Sequence, residues 1–155
     1  MDKRIEYWTT APAGYRAFMG VKKAVLESGL EHRLTHLVWL RVSQINGCAY
    51  CVDLHWRDAL AAGVEARVLN AVAAWEEMPC FDARERAAFG WAEALTLVAA
   101  TRAPEPAYRA AEAEFGAVGM CALSYAIAYM NAMNRLGVGF RMRPDFAEGG
   151  GHGAR

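Results

Sequence analysis

The segment QINGCAYCVDLHWRDA, Gln44 to Ala59, places Cys48, Cys51 and His55 at the spacing C-x-x-C-x-x-x-H. On a helix, residues three and four apart share a face, so the two thiols and the imidazole line up, with His55 one turn beyond Cys51. Three chemistries use such a set. Thiols three residues apart can close a disulfide with little backbone movement, which makes a reversible dithiol. The same pair supplies half of a tetrahedral zinc site. Buried cysteines also serve as small apolar core residues, with a satisfied histidine alongside. If the pair is redox-active, His55 is placed to accept or return the Cys51 proton, and the thiolate so formed is the reactive species.

These side chains need a helix start, and the sequence supplies one. Gly47 ends a helix predicted over His32 to Asn46, so Cys48 opens the next, predicted over Ala49 to Ala62 and closed by Gly63. Unpaired N–H groups and the helix dipole at that point favour a thiolate on Cys48. A second closely spaced ligand pair is absent: Cys80 and Cys121 stand alone and are read as small buried hydrophobes. The metal alternative reduces to a set of Cys48, Cys51, His55 and His36. Trp39 and Trp56 are read as packing residues, and His32 and His152 as surface residues.

Elsewhere helical periodicity recurs and strand signals do not. Tyr15, Phe18, Met19, Val21, Val25 and Leu26 mark a first helix that stops at Gly29. In the second, Leu34, Leu37, Val38, Val42 and Ile45 share a side. A helix is expected from about Glu65 to Glu77, before Pro79. Asp82 and Glu85 form a capping-box pattern opening a helix to about Ala100, followed by Pro104 and Pro106. A short helix over Glu105 to Phe115 and a last one from about Gly119 to Leu136 complete an all-α domain of about six or seven helices, spanning 1–147. Residues 148–155, ending EGGGHGAR, are expected to be a disordered tail. Phe115 to Asn134 runs twenty residues without a charge, long enough to span a bilayer. Its glycines, Ser124 and two asparagines, with Ala and Met in place of Leu and Ile, favour a buried or subunit-interface helix instead.

The chain has 155 residues, 55% of them hydrophobic, and its 17 basic and 17 acidic side chains cancel. A balanced charge gives no footprint for nucleic acid or an acidic membrane surface. The N-terminal residues lack a secretory pattern, so a cytoplasmic location is expected, where a C-x-x-C is catalytic or metal-binding more often than structural.

The run LVWLRVSQINGCAYCVDLHWRDAL, Leu37 to Leu60, resembles the core motif of the carboxymuconolactone decarboxylase superfamily, in its AhpD-like alkylhydroperoxidase branch. The segment NAMNRLGVGFRMRP, Asn131 to Pro144, resembles the C-terminal end of that family. The resemblance implies an all-α subunit, assembly as a homotrimer or homohexamer, and a peroxidase cycle. In that cycle Cys51 attacks the peroxide and becomes a sulfenic acid, Cys48 condenses with it to a disulfide, and His55 relays the proton. His55 also favours Cys51 over Cys48 as the attacking sulfur, because the leaving oxygen needs a proton. Two positions depart from the branch. His36 stands where a relay glutamate stands twelve residues ahead of Cys48, and Tyr50 replaces a histidine between the cysteines. A histidine at position 36 can act as a base, or as a cation holding a thiolate.

The function expected is thus a thiol-dependent peroxidase acting on an organic peroxide or hydrogen peroxide, with Cys51, Cys48, His55, His36 and Tyr50 as the catalytic set. An external dithiol, in some family members a lipoyl-bearing protein, recycles it. No metal or bound cofactor is expected, and the glycines follow no strand that would suggest a nucleotide loop. The alternatives are a general dithiol-disulfide oxidoreductase, a carboxymuconolactone decarboxylase-type enzyme with idle cysteines, and a non-catalytic helical oligomer binding a ligand or metal.

Overall fold

The computed structural model describes residues 2–144, and the expected tail 148–155 lies outside them. Among the described residues the secondary structure is entirely helical. The order is α1 (Tyr7–Thr10), α2 (Pro12–Leu26), α3 (His32–Asn46), α4 (Ala49–Ala61), α5 (Ala66–Ala71) with a 3-10 turn (Val72–Ala74), α6 (Ala83–Thr96), α7 (Val98–Thr101) and α8 (Glu105–Gly139).

Helix α3 is the central element, packed against α4, α6 and α8. Leu34, Leu37, Val38 and Val42 are buried as the periodicity requires, and Thr35, Trp39, Leu40 and Ser43 are buried with them. The helix is therefore enclosed around most of its girth rather than along one stripe. Burial of side chains such as Leu37, Trp39 and Leu40 contributes roughly 1.5–3 kcal/mol each, which outweighs the fractions of a kcal/mol by which helix propensities differ. Helix α2 is peripheral: of the apolar residues that mark it, only Val25 is buried, and Val21 is 40% exposed.

The apolar helix is a core helix. α8 lies along α6, α3 and α2, with Leu123, Ile127 and Met130 almost fully buried. By length and composition it is apolar enough to cross a membrane, yet 44% of its apolar window is buried inside the protein. Its backbone and hydroxyl groups also serve the core: the Trp39 indole donates to the Ala126 carbonyl (3.0 Å) and that of Trp91 to Ser124 Oγ (2.9 Å). The two helices expected here are present, meeting at a kink at Gly116 (φ 61°, ψ 178°) with no connecting loop, so that α8 is a continuous but broken run. That backbone conformation is essentially restricted to glycine.

Two other boundaries differ from expectation. The helix expected over Glu65 to Glu77 stops at Ala71 because tertiary contacts claim the rest. Trp75 turns to stack on Phe89 and donates to Glu93 (2.7 Å). The guanidinium of Arg86 collects the carbonyls of Glu76, Met78 and Phe81 from the unwound segment. Helix α6 ends at Thr96 rather than near Ala100, with Leu97 leaving helical geometry (φ −99°, ψ 27°) before the short α7. Its start is as expected: Asp82 Oδ1 accepts from the Glu85 N–H (2.8 Å) and Glu85 Oε2 from the Asp82 N–H (3.3 Å), a closed capping box.

Candidate functional site

The joint between α3 and α4 fixes the first sulfur. Gly47 takes a left-handed conformation (φ 66°), its N–H bonding to the Gln44 carbonyl while the Cys48 N–H bonds to that of Ser43 (3.1 Å). This is a Schellman closure of α3. Its last residue, Cys48, is also the N-cap of α4 and accepts a hydrogen bond at Sγ from the Cys51 N–H (3.4 Å). One cysteine therefore ends one helix and opens the next, with its sulfur held over unpaired amides.

Both site cysteines are buried and unbridged. They share the available proton unequally. A hydrogen bond from the Cys51 side chain pulls the Cys48 thiol down to about 7, helped by the Cys51 N–H and the Asn134 amide and opposed by burial. Cys51 is pushed well above the ordinary thiol range by that same bond, by burial and by the Cys48 charge. The shared proton and the helix start thus both favour charge on Cys48 over Cys51.

Helix α8 supplies two residues that sequence reasoning did not single out. Gly137 lies directly on the sulfurs: a Cβ there would stand 2.7 Å from Cys48 Sγ and 3.5 Å from Cys51 Sγ. Only a residue without a side chain lets the α8 backbone approach so closely. Asn134, fully buried, donates to Ser43 Oγ (3.0 Å) and accepts from Asn46 Nδ2 (3.0 Å), tying α8 to the end of α3. Both belong to the late segment that resembles the family's C-terminal end, but their contacts with α3 and α4 span more than eighty residues of sequence. No local spacing announces such contacts.

Tyrosines surround the pair. Tyr50, on the first turn of α4, is half-buried, and desolvation followed by the charge of Cys51 keeps its phenol protonated above the usual range. Tyr7 is pushed up to about 12 by burial and then by Cys51. Tyr129 is raised chiefly by burial. The N-terminal segment that carries Tyr7 is pinned to the end of α8 by Arg4, whose N–H bonds to the Phe140 carbonyl (3.1 Å) and whose guanidinium bonds to that of Gly139 (2.8 Å). Cys48 opens onto a cleft of about 190 Å³ lined with Gly137, Arg141 and Arg143.

His55 is 3% exposed and lies against Trp39 (ring centroids 5.1 Å apart). Burial, with smaller effects of His36 and Lys22, holds its pKa down to about 3, so the ring is uncharged near neutral pH. His36 is half-buried, 6.4 Å from the His55 ring, and lowered first by burial. That direction disfavours the cationic role considered for it. Asp58, one turn after His55, brings its Oδ2 to 3.8 Å from His55 Nδ1. The five expected residues thus fall into a thiol group of Cys48, Cys51 and Tyr50 and an imidazole group of His36 and His55, which Asp58 joins.

Several expectations are corrected. Cys80 and Cys121 are exposed, not buried: Cys80 sits in the turn before α6, and Cys121 on the outward side of α8. Trp56 is 37% exposed, whereas Trp39 is core. His32 is on the surface as expected, and His152 lies outside the described residues.

Comparison with known proteins places this geometry. The model of the carboxymuconolactone decarboxylase family matches residues 12–94. A crystal structure of a protein of unknown function from Agrobacterium tumefaciens, provisionally assigned as the antioxidant defence protein AhpD, superposes with a TM-score of 0.91 at 38% identity. That match covers 94% of this chain and 100% of the other. An uncharacterized peroxidase-related protein from Silicibacter sp. TM1040 shares the fold at 21% identity (TM-score 0.75; 84% of this chain, 69% of that one). The uncharacterized protein YdfG of Bacillus subtilis (strain 168) is 30% identical over 138 residues, 89% of this chain and 94% of its own length. The chain belongs to the carboxymuconolactone decarboxylase family, in its AhpD-like branch.

Proposed function

We propose that the protein is a thiol-dependent peroxidase that reduces an organic hydroperoxide or hydrogen peroxide through a dithiol/disulfide cycle at Cys48 and Cys51. The observation that carries this reading is the geometry of the pair: Cys48 caps α4, accepts the Cys51 N–H at Sγ (3.4 Å) and opens onto a cleft lined with Arg141 and Arg143, with its thiol lowered and that of Cys51 raised. The lowered Cys48 thiol favours the nucleophilic thiolate.

The chemistry balances within the pair. The Cys48 thiolate attacks the distal peroxide oxygen, the O–O bond breaks, and the alkoxide takes the Cys51 proton to leave as alcohol. Cys51, now a thiolate, attacks the Cys48 sulfenic acid and expels hydroxide, leaving the Cys48–Cys51 disulfide. An external dithiol, such as a lipoyl-bearing protein, returns the two electrons. In this reading Tyr50 donates to the leaving oxygen, and uncharged His55, with His36 beyond it, passes a proton to or from Cys51. The resemblance implies the opposite sense, Cys51 attacking after yielding its proton to His55. We further propose that the enzyme works as a homotrimer or homohexamer in a reducing compartment such as the cytoplasm.

Single serine variants test the cycle and its direction. With cumene hydroperoxide and a dithiol reductant, Cys48→Ser should lose the first oxidation, while Cys51→Ser should be oxidised once and stall at sulfenic or higher acids. The reverse pattern would establish Cys51 as the attacking sulfur. Undiminished turnover in both variants would rule out the dithiol mechanism.

A further inference from the structure

The imidazole group has unfilled capacity of its own. One donor atom each from His36 on α3 and from His55 and Asp58 on α4 lie within 4.8 Å of one another. Both His36 Nδ1 and His55 Nδ1 are buried without a hydrogen-bond partner. Leaving such an atom unpaired costs about 1–3 kcal/mol, so orphaned buried nitrogens in folded proteins ordinarily have a water or an ion to explain them. Asp58 does not satisfy His55, because 3.8 Å is beyond hydrogen-bond reach.

The donor set specifies the ligand class. Two imidazoles and one carboxylate suit a borderline divalent ion, whereas Mg²⁺ and Ca²⁺ require oxygen ligands throughout. We propose that His36, His55 and Asp58 form a binding site for one divalent transition-metal ion of the Zn²⁺ or Fe²⁺ type, with its remaining coordination positions open to water. Bond lengths of about 2.0–2.2 Å put tetrahedral donors about 3.4 Å apart, so donors up to 4.8 Å apart must contract by up to about 1.4 Å. Asp58 has the freedom to do this, being 38% exposed at its side chain, while His55 is fixed by packing. The charge of Lys22 opposes a cation here, which further favours an ion held by directional nitrogen bonds over a hard, purely electrostatic one.

The test must keep the thiols from acting as ligands, so it uses the full chain carrying Cys48→Ser and Cys51→Ser, with Cys80→Ser and Cys121→Ser at the two exposed cysteines. Equilibrium dialysis against Zn²⁺ alone should give one ion per chain, and Co²⁺ should show visible ligand-field bands without a sulfur charge-transfer band. Adding Asp58→Asn should weaken binding at least about tenfold, and His36→Phe by more, since losing even an outer-shell partner costs 10–100-fold. Asp58→Asn is nearly isosteric on a partly exposed side chain, so it remains informative if His36→Phe misfolds. Failure to bind Zn²⁺ stoichiometrically, or binding unchanged by Asp58→Asn, would overturn the proposal. A cobalt site that forms only with the cysteines present would do the same by assigning the metal to the thiols.

Discussion

At the residue scale, the proton shared by Cys48 and Cys51 decides the chemistry. The Cys48 thiol is drawn to about 7 chiefly by the Cys51 side chain, so its alkylation rate should rise through pH 7 rather than near the pH of an ordinary thiol. With Cys51→Ala the inflection should move upward; an unchanged profile would mean that the helix start alone sets the acidity. Gly137→Ala would put a methyl carbon 2.7 Å from Cys48 Sγ. Overpacking of this kind costs about 1–3 kcal/mol, and a lower thermal midpoint with slower Cys48 alkylation is the expected outcome. The cysteines and His55 were legible because their spacing on one helix is local. Asp58 stood inside the quoted motif, but its role emerges only once α3 brings His36 alongside.

At the element scale, the joint between α3 and α4 was readable and the ends of α5 and α6 were not. Gly47 and the Asp82–Glu85 box act through neighbours one to five residues away, so sequence alone specifies them. The early end of α5 depends on Arg86 and Phe89, which lie on another helix. Asn134 belongs with the illegible contacts: it bonds to Ser43 and Asn46 across the α3–α8 seam. Asn134→Ala would leave the buried Ser43 hydroxyl short of a partner, while Asn46 keeps Asn131, at a cost of about 1–3 kcal/mol. Urea unfolding should report that loss, and alkylation should show a less acidic Cys48, because the Asn134 amide helps to hold its thiolate. Full stability with unaltered Cys48 reactivity would remove Asn134 from the site.

At the scale of the whole molecule, the all-α class followed from helical periodicity, whereas the surfaces did not. An apolar groove of about 490 Å³ runs between α2 and α8, lined by Val21, Val118, Cys121 and Tyr125 and remote from the cleft at Cys48. Val118 is 81% exposed and Tyr125 64%, which suits the outward face of α8 to the proposed assembly. Light scattering on the eluting protein should give a trimer or hexamer, and Val118→Glu should lower that order. A wild-type monomer would contradict the assembly without touching the thiol chemistry.

The most direct test is the loss of free thiols after one equivalent of cumene hydroperoxide is added to the reduced, metal-free protein, with peptide mass spectrometry locating any disulfide. A working peroxidase should lose two thiols per chain, joined as Cys48 to Cys51, far faster than a free cysteine reacts. Loss no faster than that of a free cysteine, or a disulfide involving the exposed Cys80 or Cys121 in place of this pair, would contradict the proposed cycle.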